Sequence, residues 1–239
     1  MTLMANYKIR TKREDLEICV VIPAAGMGRR MKSYGPKPLI KIDSNTTILE
    51  RQLSIISDIF TNYTGVIVCG FEAEKMFSKA PKEFIKIENE LYLETNVVRS
   101  IGMGMRAVEA DNVLIVYGDL VFTKEAISSI DYNVSSISII GANREDDEVG
   151  CVIGKDGFLA HMMYDLPQKW SQIIFLRGKE LELFKKIAFH KNNRKLFGFE
   201  AINKVIEEGG KIQCITRKGI NVVDVDTSKD LAVAKTIAN

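Results

Sequence analysis

The chain has 239 residues, of which 46% are hydrophobic, so it is long enough to bury a substantial core but short for two full-sized domains. Its 33 basic and 31 acidic residues nearly cancel, which excludes a global electrostatic field for binding nucleic acid or membrane surfaces. Four widely spaced cysteines lack metal-binding or disulfide-rich spacing, and no apolar run resembles a signal peptide or reaches transmembrane length, so we predict a soluble cytoplasmic protein.

Buried strands alternate with helices along the first half of the chain. Residues 18–22 form a continuous run dominated by β-branched side chains, as expected for a strand covered on both faces of a parallel sheet. This alternation predicts right-handed β-α-β units and an α/β sandwich. The remaining elements of this half are predicted as strands at 65–69, 113–117 and 136–140 and as helices at 47–59, 72–79 and 97–109.

The second half is less regular, and short strands in it predict an antiparallel insertion. There is no repeat and no low-complexity linker, so the pattern predicts one domain over residues 1–239. The elements are predicted as strands at 150–153, 158–161, 211–216 and 221–225 and as helices at 179–188, 199–208 and 227–237.

A glycine-rich loop follows the first strand: residues 23–31 read Pro-Ala-Ala-Gly-Met-Gly-Arg-Arg-Met, and Gly-Pro-Lys-Pro-Leu follows at 35–39. Small residues let backbone N–H groups approach a ligand closely, and Arg29, Arg30 and Lys37 bring positive charge, which predicts a polyphosphate site. A Walker loop is excluded because no Gly-Lys-Ser/Thr triplet enters a helix, and Met31 replaces the third glycine of a dinucleotide fingerprint. A tight turn with solvated basic residues is the structural alternative.

Aspartates follow two of the predicted strands. Asp119 emerges at the carboxyl end of the strand at 113–117, the edge at which open α/β sheets bind ligands, although it also suits a turn cap. Asp224 and Asp226 alternate with valines and therefore project to the same side of a strand. Carboxylates combined with substrate phosphates are what Mg²⁺ prefers. For Asp230 we favour a structural role in the first turn of the last helix.

The string Ala-Ala-Gly-x-Gly-x-Arg-Met followed by Pro-Lys-Pro-Leu resembles the signature of the nucleotidyltransferase superfamily with a GT-A-like fold, and the resemblance extends over nearly the whole chain. It implies a Rossmann-like, three-layer α/β/α sandwich with a mixed, mostly parallel sheet, in which residues 17–120 bind the nucleotide and residues 121–239 the acceptor. The residues that it implies for binding the nucleotide and its phosphates are Ala24, Ala25, Gly26, Gly28, Arg30 and Lys37.

The same resemblance implies a metal site and a reaction centre. The aspartate after the central strand looks like the family's Mg²⁺ ligand, which is Asp119 here. The C-terminal Asp-x-Asp implies Asp224 as the second ligand, with Asp226 sharing that role. Arg30, Lys37 and Asp119 are then the catalytic residues.

Residues 93–100, Leu-Glu-Thr-Asn-Val-Val-Arg-Ser, resemble the Glu-Thr-Asn-Asn-x-x-Ser segment of cytidylyltransferases that use phosphocholine and related acceptors. That segment lies beside the nucleotide, which implies contacts from Glu94, Thr95, Asn96 and Ser100. Val97 replaces the second asparagine, and a helix cap without a ligand is the alternative. Trp170 opens a segment similar to the family's acceptor-side strand, with Gln172 in place of its usual glycine, and its ring offers a face to a cationic head group.

The resemblance therefore implies a Mg²⁺-dependent nucleotidyltransferase that transfers NMP, foremost CMP from CTP, to a small phosphorylated acceptor and releases pyrophosphate. Acceptor candidates are phosphocholine, a phosphonate, an alditol or inositol phosphate, and a sugar 1-phosphate. Neither nucleic acid nor a membrane is expected as a partner, and homodimers are common in the superfamily. Two other classes stay open: a noncatalytic nucleotide-binding relative and a GT-A glycosyltransferase, which would carry its Asp-x-Asp after a central strand.

Overall fold

The structure is a computed structural model and describes residues 16–28, 35–142 and 148–238. Within these ranges the main sheet contains nine strands, and a separate pair of strands forms a small second sheet. Numbered in chain order, the strands are β1 (Ile18–Ala24), β2 (Tyr63–Cys69), β3 (Ile85–Glu88), β4 (Asn112–Val116), β5 (Leu120–Phe122), β6 (Ser136–Ala142), β7 (Val149–Ile153), β8 (Leu159–Tyr164), β9 (Gln168–Arg177), β10 (Gln213–Thr216) and β11 (Val222–Asp224).

The main sheet has the order β10-β6-β9-β4-β1-β2-β3, with the β7–β8 hairpin attached to β9. β1 runs parallel to β2 and β4, and β6 runs parallel to β10. β9 runs antiparallel to both of its neighbours, β4 and β6. The predicted mixed, mostly parallel sheet and the antiparallel insertion at β7 and β8 are confirmed.

Helices cover both faces of this sheet, because alternate side chains of each central strand point to opposite faces. Val20 and Ile22 of β1 pack into the cluster formed with α1 and α2, whereas Cys19 and Val21 pack against α3, α5 and α6. The predicted three-layer sandwich is confirmed. The helices are α1 (Ile48–Ile59), α2 (Ala73–Lys79), α3 (Val97–Arg106), α4 (Glu125–Ser128), α5 (Gly178–Phe189), α6 (Gly198–Glu207) and α7 (Ser228–Ala238).

Local chemistry explains where α1 begins and how α3 packs. Thr47 caps α1: its Oγ1 accepts from the Glu50 N–H while the Glu50 side chain accepts from the Thr47 N–H. The glycines of α3 serve packing, since a Cβ at Gly102 would lie 2.8 Å from the Ala188 carbonyl oxygen and one at Gly104 would lie 2.6 Å from Val21. Among the described residues, no helix combines the length and the apolar character needed to span a bilayer.

Two short strands, β3 and β5, and the full length of β9 were not predicted. β3 is only partly buried, so its side chains lack a continuous apolar run. β9 carries Ser171 and Gln172 in its middle, and these polar residues interrupt the strand pattern. The predicted helix at 97–109 ends earlier, at Arg106.

Candidate active site

Three aspartates from two distant parts of the chain meet beyond the carboxyl end of β4. Asp119 lies in the turn between β4 and β5, and the antiparallel pairing of β5 with β11 places Asp224 opposite Leu120. The Val225 N–H also donates to the Asp119 carbonyl oxygen at 3.1 Å. One carboxylate oxygen from each of Asp119, Asp224 and Asp226 lies within 4.8 Å of the others. The fold thus assembles the three residues that were predicted as metal ligands.

The Lys37 ammonium group lies among these carboxylates. Its Nζ is 2.9 Å from Asp119 Oδ2 and 4.0 Å from Asp224 Oδ1, and it also donates to Asp226 Oδ1. Burial alone would lower the pKa of Lys37, but the charges of Asp119 and Asp224 and the hydrogen bonds to Asp226 and Asp119 together raise that pKa, so the group stays charged. Gly28 lies beneath the stem of this lysine: its φ is +54°, and a Cβ there would meet Lys37 Cγ at 3.0 Å. Glycine therefore lets the Lys37 side chain pass.

The carboxylate cluster has the chemistry of a divalent-cation site. Asp224 Oδ2 accepts a 2.8 Å hydrogen bond from Gln172 Nε2. Its buried Oδ1 accepts none from the part of the chain that the structure describes. Burial and the charge of Asp119 raise the pKa of Asp224 to about 8, although Lys37 acts in the opposite direction. An unsatisfied carboxylate oxygen beside two further carboxylates fits a hard cation such as Mg²⁺.

A cavity of about 350 Å³ opens beside this cluster, and we call it the central cavity. The predicted nucleotide residues that line it are Ala25, Gly26, Thr95, Asn96 and Ser100, with Asp119 also in the lining.

Ala24, Gly28 and Lys37 line a smaller adjoining cavity of about 80 Å³, which shares Gly26 and Asp119 with the central one. Glu94 is exposed and does not line either cavity, so its nucleotide contact stays a prediction. Arg29 and Arg30 lie outside the described residues.

Asn89 lines the central cavity and was not predicted from the sequence. It follows β3 directly and is only 2% exposed. Its Nδ2 donates to Thr95 Oγ1 and to Ser100 Oγ, each at 3.1 Å. Asn89 therefore links two of the predicted nucleotide residues. The sequence signal for it was weak, because β3 has no continuous apolar run that would mark Asn89 as the end of a strand.

A second cavity, of about 520 Å³, lies on the other side of the aspartates. We call it the aromatic cavity, since it is lined by Tyr117, Tyr164, Trp170, Phe197 and Phe199. The Tyr164 and Phe199 rings meet edge to face at 5.5 Å, and the Tyr117 and Trp170 rings do so at 5.8 Å. Tyr164 and Phe197 are 44% and 49% exposed. Of these five, only Trp170 had been considered from the sequence.

The two cavities adjoin each other. Val97, Tyr117, Gln172 and Phe197 line both of them. Asp119 lines the central cavity, whereas Asp224 and Asp226 line the aromatic cavity. Molecules bound in the two cavities would therefore meet at the aspartates.

Comparison with known proteins gives the family. Residues 20–153, more than half of the chain, match the model of the MobA-like NTP transferase domain, and the chain belongs to this family within the nucleotidyltransferase superfamily. A sequence comparison with curated proteins returned no match.

Solved structures share the fold at low sequence identity. CTP:phosphocholine cytidylyltransferase from Streptococcus pneumoniae is 16% identical with a TM-score of 0.79, and the alignment covers 94% of this chain and 100% of that one. The inositol-1-phosphate CTP transferase from T. maritima is 14% identical with a TM-score of 0.73, covering 92% and 94%. A nucleoside-diphosphate-sugar pyrophosphorylase from Vibrio cholerae is 15% identical with a TM-score of 0.67, covering 91% and 99%.

Proposed function

We propose that this protein transfers the nucleoside-monophosphate group of an NTP, preferentially CTP, to a small phosphorylated acceptor and releases pyrophosphate in a Mg²⁺-dependent reaction. The observation that carries the proposal is the position of the Asp119, Asp224 and Asp226 cluster with Lys37 between two adjoining cavities. A nucleotide in the central cavity and an acceptor in the aromatic cavity would place their phosphates at this cluster. The four free cysteines suit a reducing compartment, and we propose the cytoplasm.

The chain's own residues would act by positioning and charge neutralisation. An acceptor phosphate oxygen attacks the α-phosphorus, the bond from the α-phosphorus to its bridging oxygen breaks, and pyrophosphate leaves. The attacking oxygen is already an anion at neutral pH, so no protein group has to remove a proton. Lys37 would neutralise phosphate charge, and the three aspartates would hold Mg²⁺, which would supply screening of the repulsion between the two anionic substrates.

The polar groups around Asn89 support a cytosine base in the central cavity. Both hydrogens of its amide group are directed to Thr95 and Ser100. Its carbonyl oxygen accepts no hydrogen bond from the described residues and is thus available to a ligand. The exocyclic amino group of cytosine is a donor at the position where uracil carries an acceptor oxygen.

Replacing Asn89 by alanine is expected to raise KM for CTP by about tenfold, the equivalent of one lost hydrogen bond, and to reduce the preference for CTP over UTP. Initial-rate measurements with both nucleotides check this. Asn112→Ala is the matched control, because the side chain of Asn112 bonds to the Glu17 carbonyl oxygen at the opposite end of the sheet. An unchanged ratio of kcat/KM values for CTP and UTP in Asn89→Ala would contradict the assignment.

The aromatic cavity supports an acceptor with a cationic head group. Five aromatic rings line this cavity, and the face of an aromatic ring attracts a quaternary ammonium group by a cation–π interaction. The charged side chains in the lining are largely engaged with other groups: Glu148 pairs with Lys169, and Asp230 accepts from the Thr227 N–H, so the aromatic rings carry this part of the proposal. Tyr164 and Phe197 expose aromatic surface to water beside Phe199, and an exposed aromatic cluster at a cavity supports the proposal that a ligand binds there.

Phe197→Ala is expected to raise KM for a cationic acceptor such as phosphocholine by about tenfold, because one face of the cation loses its aromatic partner. A neutral acceptor such as an alditol phosphate is expected to be affected less. Steady-state kinetics with the acceptor varied at saturating CTP measures both effects. Val233→Ala, which removes an exposed apolar side chain from α7, serves as the control. Equal changes for cationic and neutral acceptors would argue against the cation–π contact.

The activity itself is tested by measuring pyrophosphate release from each of the four NTPs with Mg²⁺ and a panel of phosphorylated acceptors. CTP-dependent release with one acceptor, lost on adding EDTA, is the expected result. Binding of Mg–NTP without release across the panel would favour a noncatalytic relative. Transfer of a sugar from a nucleotide sugar, without pyrophosphate, would identify a glycosyltransferase.

A further inference from the structure

Gln172 adopts an unusual backbone conformation in the middle of the sheet. Its φ is +60°, in the left-handed region that favours glycine. It lies in β9 between Trp170, which pairs with Ile139 of β6, and Ile174, which pairs with Ile137. The four-residue advance from Trp170 to Ile174 along β9 therefore pairs with an advance of only two residues along β6. Gln172 lies in the resulting β-bulge. Bulges beside active sites redirect side chains, and a strained residue there persists when the surroundings require it.

The bulge directs the Gln172 side chain at Asp224. Gln172 Nε2 donates to Asp224 Oδ2 at 2.8 Å. The other oxygen, Asp224 Oδ1, is buried without a hydrogen bond from the described residues and faces Lys37 Nζ at 4.0 Å. The amide thus occupies one oxygen of the carboxylate and leaves the other directed into the aspartate cluster.

We propose that Gln172 is a positioning residue that orients Asp224 so that Oδ1 is presented to the divalent cation. The inference rests on the proposed function, since it assigns the aspartate cluster to Mg²⁺. A glycine would take the same backbone conformation without strain, but it would leave Asp224 free to turn. In Gln172 the left-handed conformation instead places an amide group where it fixes the carboxylate.

Hydrogen bonds from groups behind a metal ligand typically change metal affinity by about ten- to a hundredfold. For Gln172→Gly we expect the apparent affinity for Mn²⁺, measured in the presence of CTP without acceptor by the electron paramagnetic resonance signal of free Mn²⁺, to weaken by about tenfold. We expect the Mg²⁺ concentration for half-maximal pyrophosphate release to rise by the same factor, with most of the rate recovered at saturating Mg²⁺. The melting temperature of the metal-free protein is expected to stay level or rise by about 2–4 °C, because the strain is relieved.

Two further variants separate the loss of the hydrogen bond to Asp224 from effects of folding and of backbone strain on Mn²⁺ affinity. Asp165→Gly relieves the same kind of strain, a φ of +60° at the exposed turn between β8 and β9, and is expected to leave Mn²⁺ affinity unchanged. Gln172→Asn keeps an amide and tolerates this conformation, but its side chain is one methylene shorter, so Mn²⁺ binding is expected to weaken as in Gln172→Gly.

Mn²⁺ affinity within twofold of wild type in both Gln172 variants would overturn the inference. A wild-type protein that binds Mn²⁺ but releases no pyrophosphate would remove the proposed reaction only, and the Mn²⁺ titration would still decide the role of Gln172. A wild-type protein that binds no Mn²⁺ would overturn both.

Discussion

Replacing Asp119 by asparagine is expected to slow pyrophosphate release by about a thousandfold, since a catalytic cation held at this position supplies several kcal/mol of charge stabilisation. Asparagine has nearly the same volume and still accepts a hydrogen bond from Lys37, which lies 2.9 Å from Asp119. The substitution therefore removes charge with little change in packing. Because Asp119, Asp224 and Asp226 share the ammonium group of Lys37, losing one negative charge is expected to leave the stability of the metal-free protein equal or higher.

The measurement combines single-turnover rates at saturating Mg²⁺ and CTP with urea denaturation in EDTA. Asp58→Asn is the matched control, because Asp58 is 61% exposed and pairs with Lys124 on the surface. A rate for Asp119→Asn within tenfold of wild type would show that this carboxylate does not hold the catalytic cation. A large loss of stability in EDTA would instead assign Asp119 a structural role.

Lys37→Met is expected to lower the free energy of unfolding by about 2–3 kcal/mol in EDTA above pH 8, where Asp224 is also ionised, because it leaves three close carboxylates without their cation. Methionine retains an apolar stem to pack over Gly28, so the loss reports mainly the missing charge. Mg²⁺ is expected to restore part of this stability by taking the place of the ammonium group. Activity is expected to fall by at least about a hundredfold, since the phosphate loses a neutralising contact.

Urea denaturation with EDTA and with Mg²⁺ measures the two stabilities. Lys124→Met provides the comparison, because Lys124 is 47% exposed and its surface ion pair contributes little. Were Lys37→Met equally destabilised with and without Mg²⁺, the ammonium group and the cation would not share one cluster of charges.

Under the proposed function, a divalent cation would compete with the Lys37 ammonium group for the same aspartates. The cluster is assembled with more negative than positive charge, which is costly in a partly buried site. That cost disfavours the metal-free state and favours cation binding, as expected where residues are arranged for catalysis and not for stability.

Local sequence patterns determined much of the fold. The continuous apolar run at β1 and the recurrent runs at β2, β4 and β6 predicted the parallel strands, since a strand buried on both faces needs apolar residues at successive positions. The Thr47 capping box marked the start of α1. Small residues after β1 and the aspartate after β4 indicated the ligand-binding edge because the carboxyl ends of parallel strands share it.

Three features of the site depended on tertiary structure alone. Asn89 follows the partly buried strand β3, Gln172 lies in a bulge that exists only because β9 pairs with β6, and the aromatic cavity draws Tyr164 and Phe197 from separate elements.

The sequence by itself therefore determined the class of fold and the residue types of the candidate site, because hydrophobic periodicity and short motifs are local properties of the chain. The resemblance had already grouped Asp119 with Asp224 and Asp226, but only the tertiary structure shows how such distant side chains meet. The pairing of β5 with β11 brings Asp224 to Asp119, and the bulge in β9 turns Gln172 toward Asp224. Such contacts depend on strand register over long sequence separations, which no local pattern encodes.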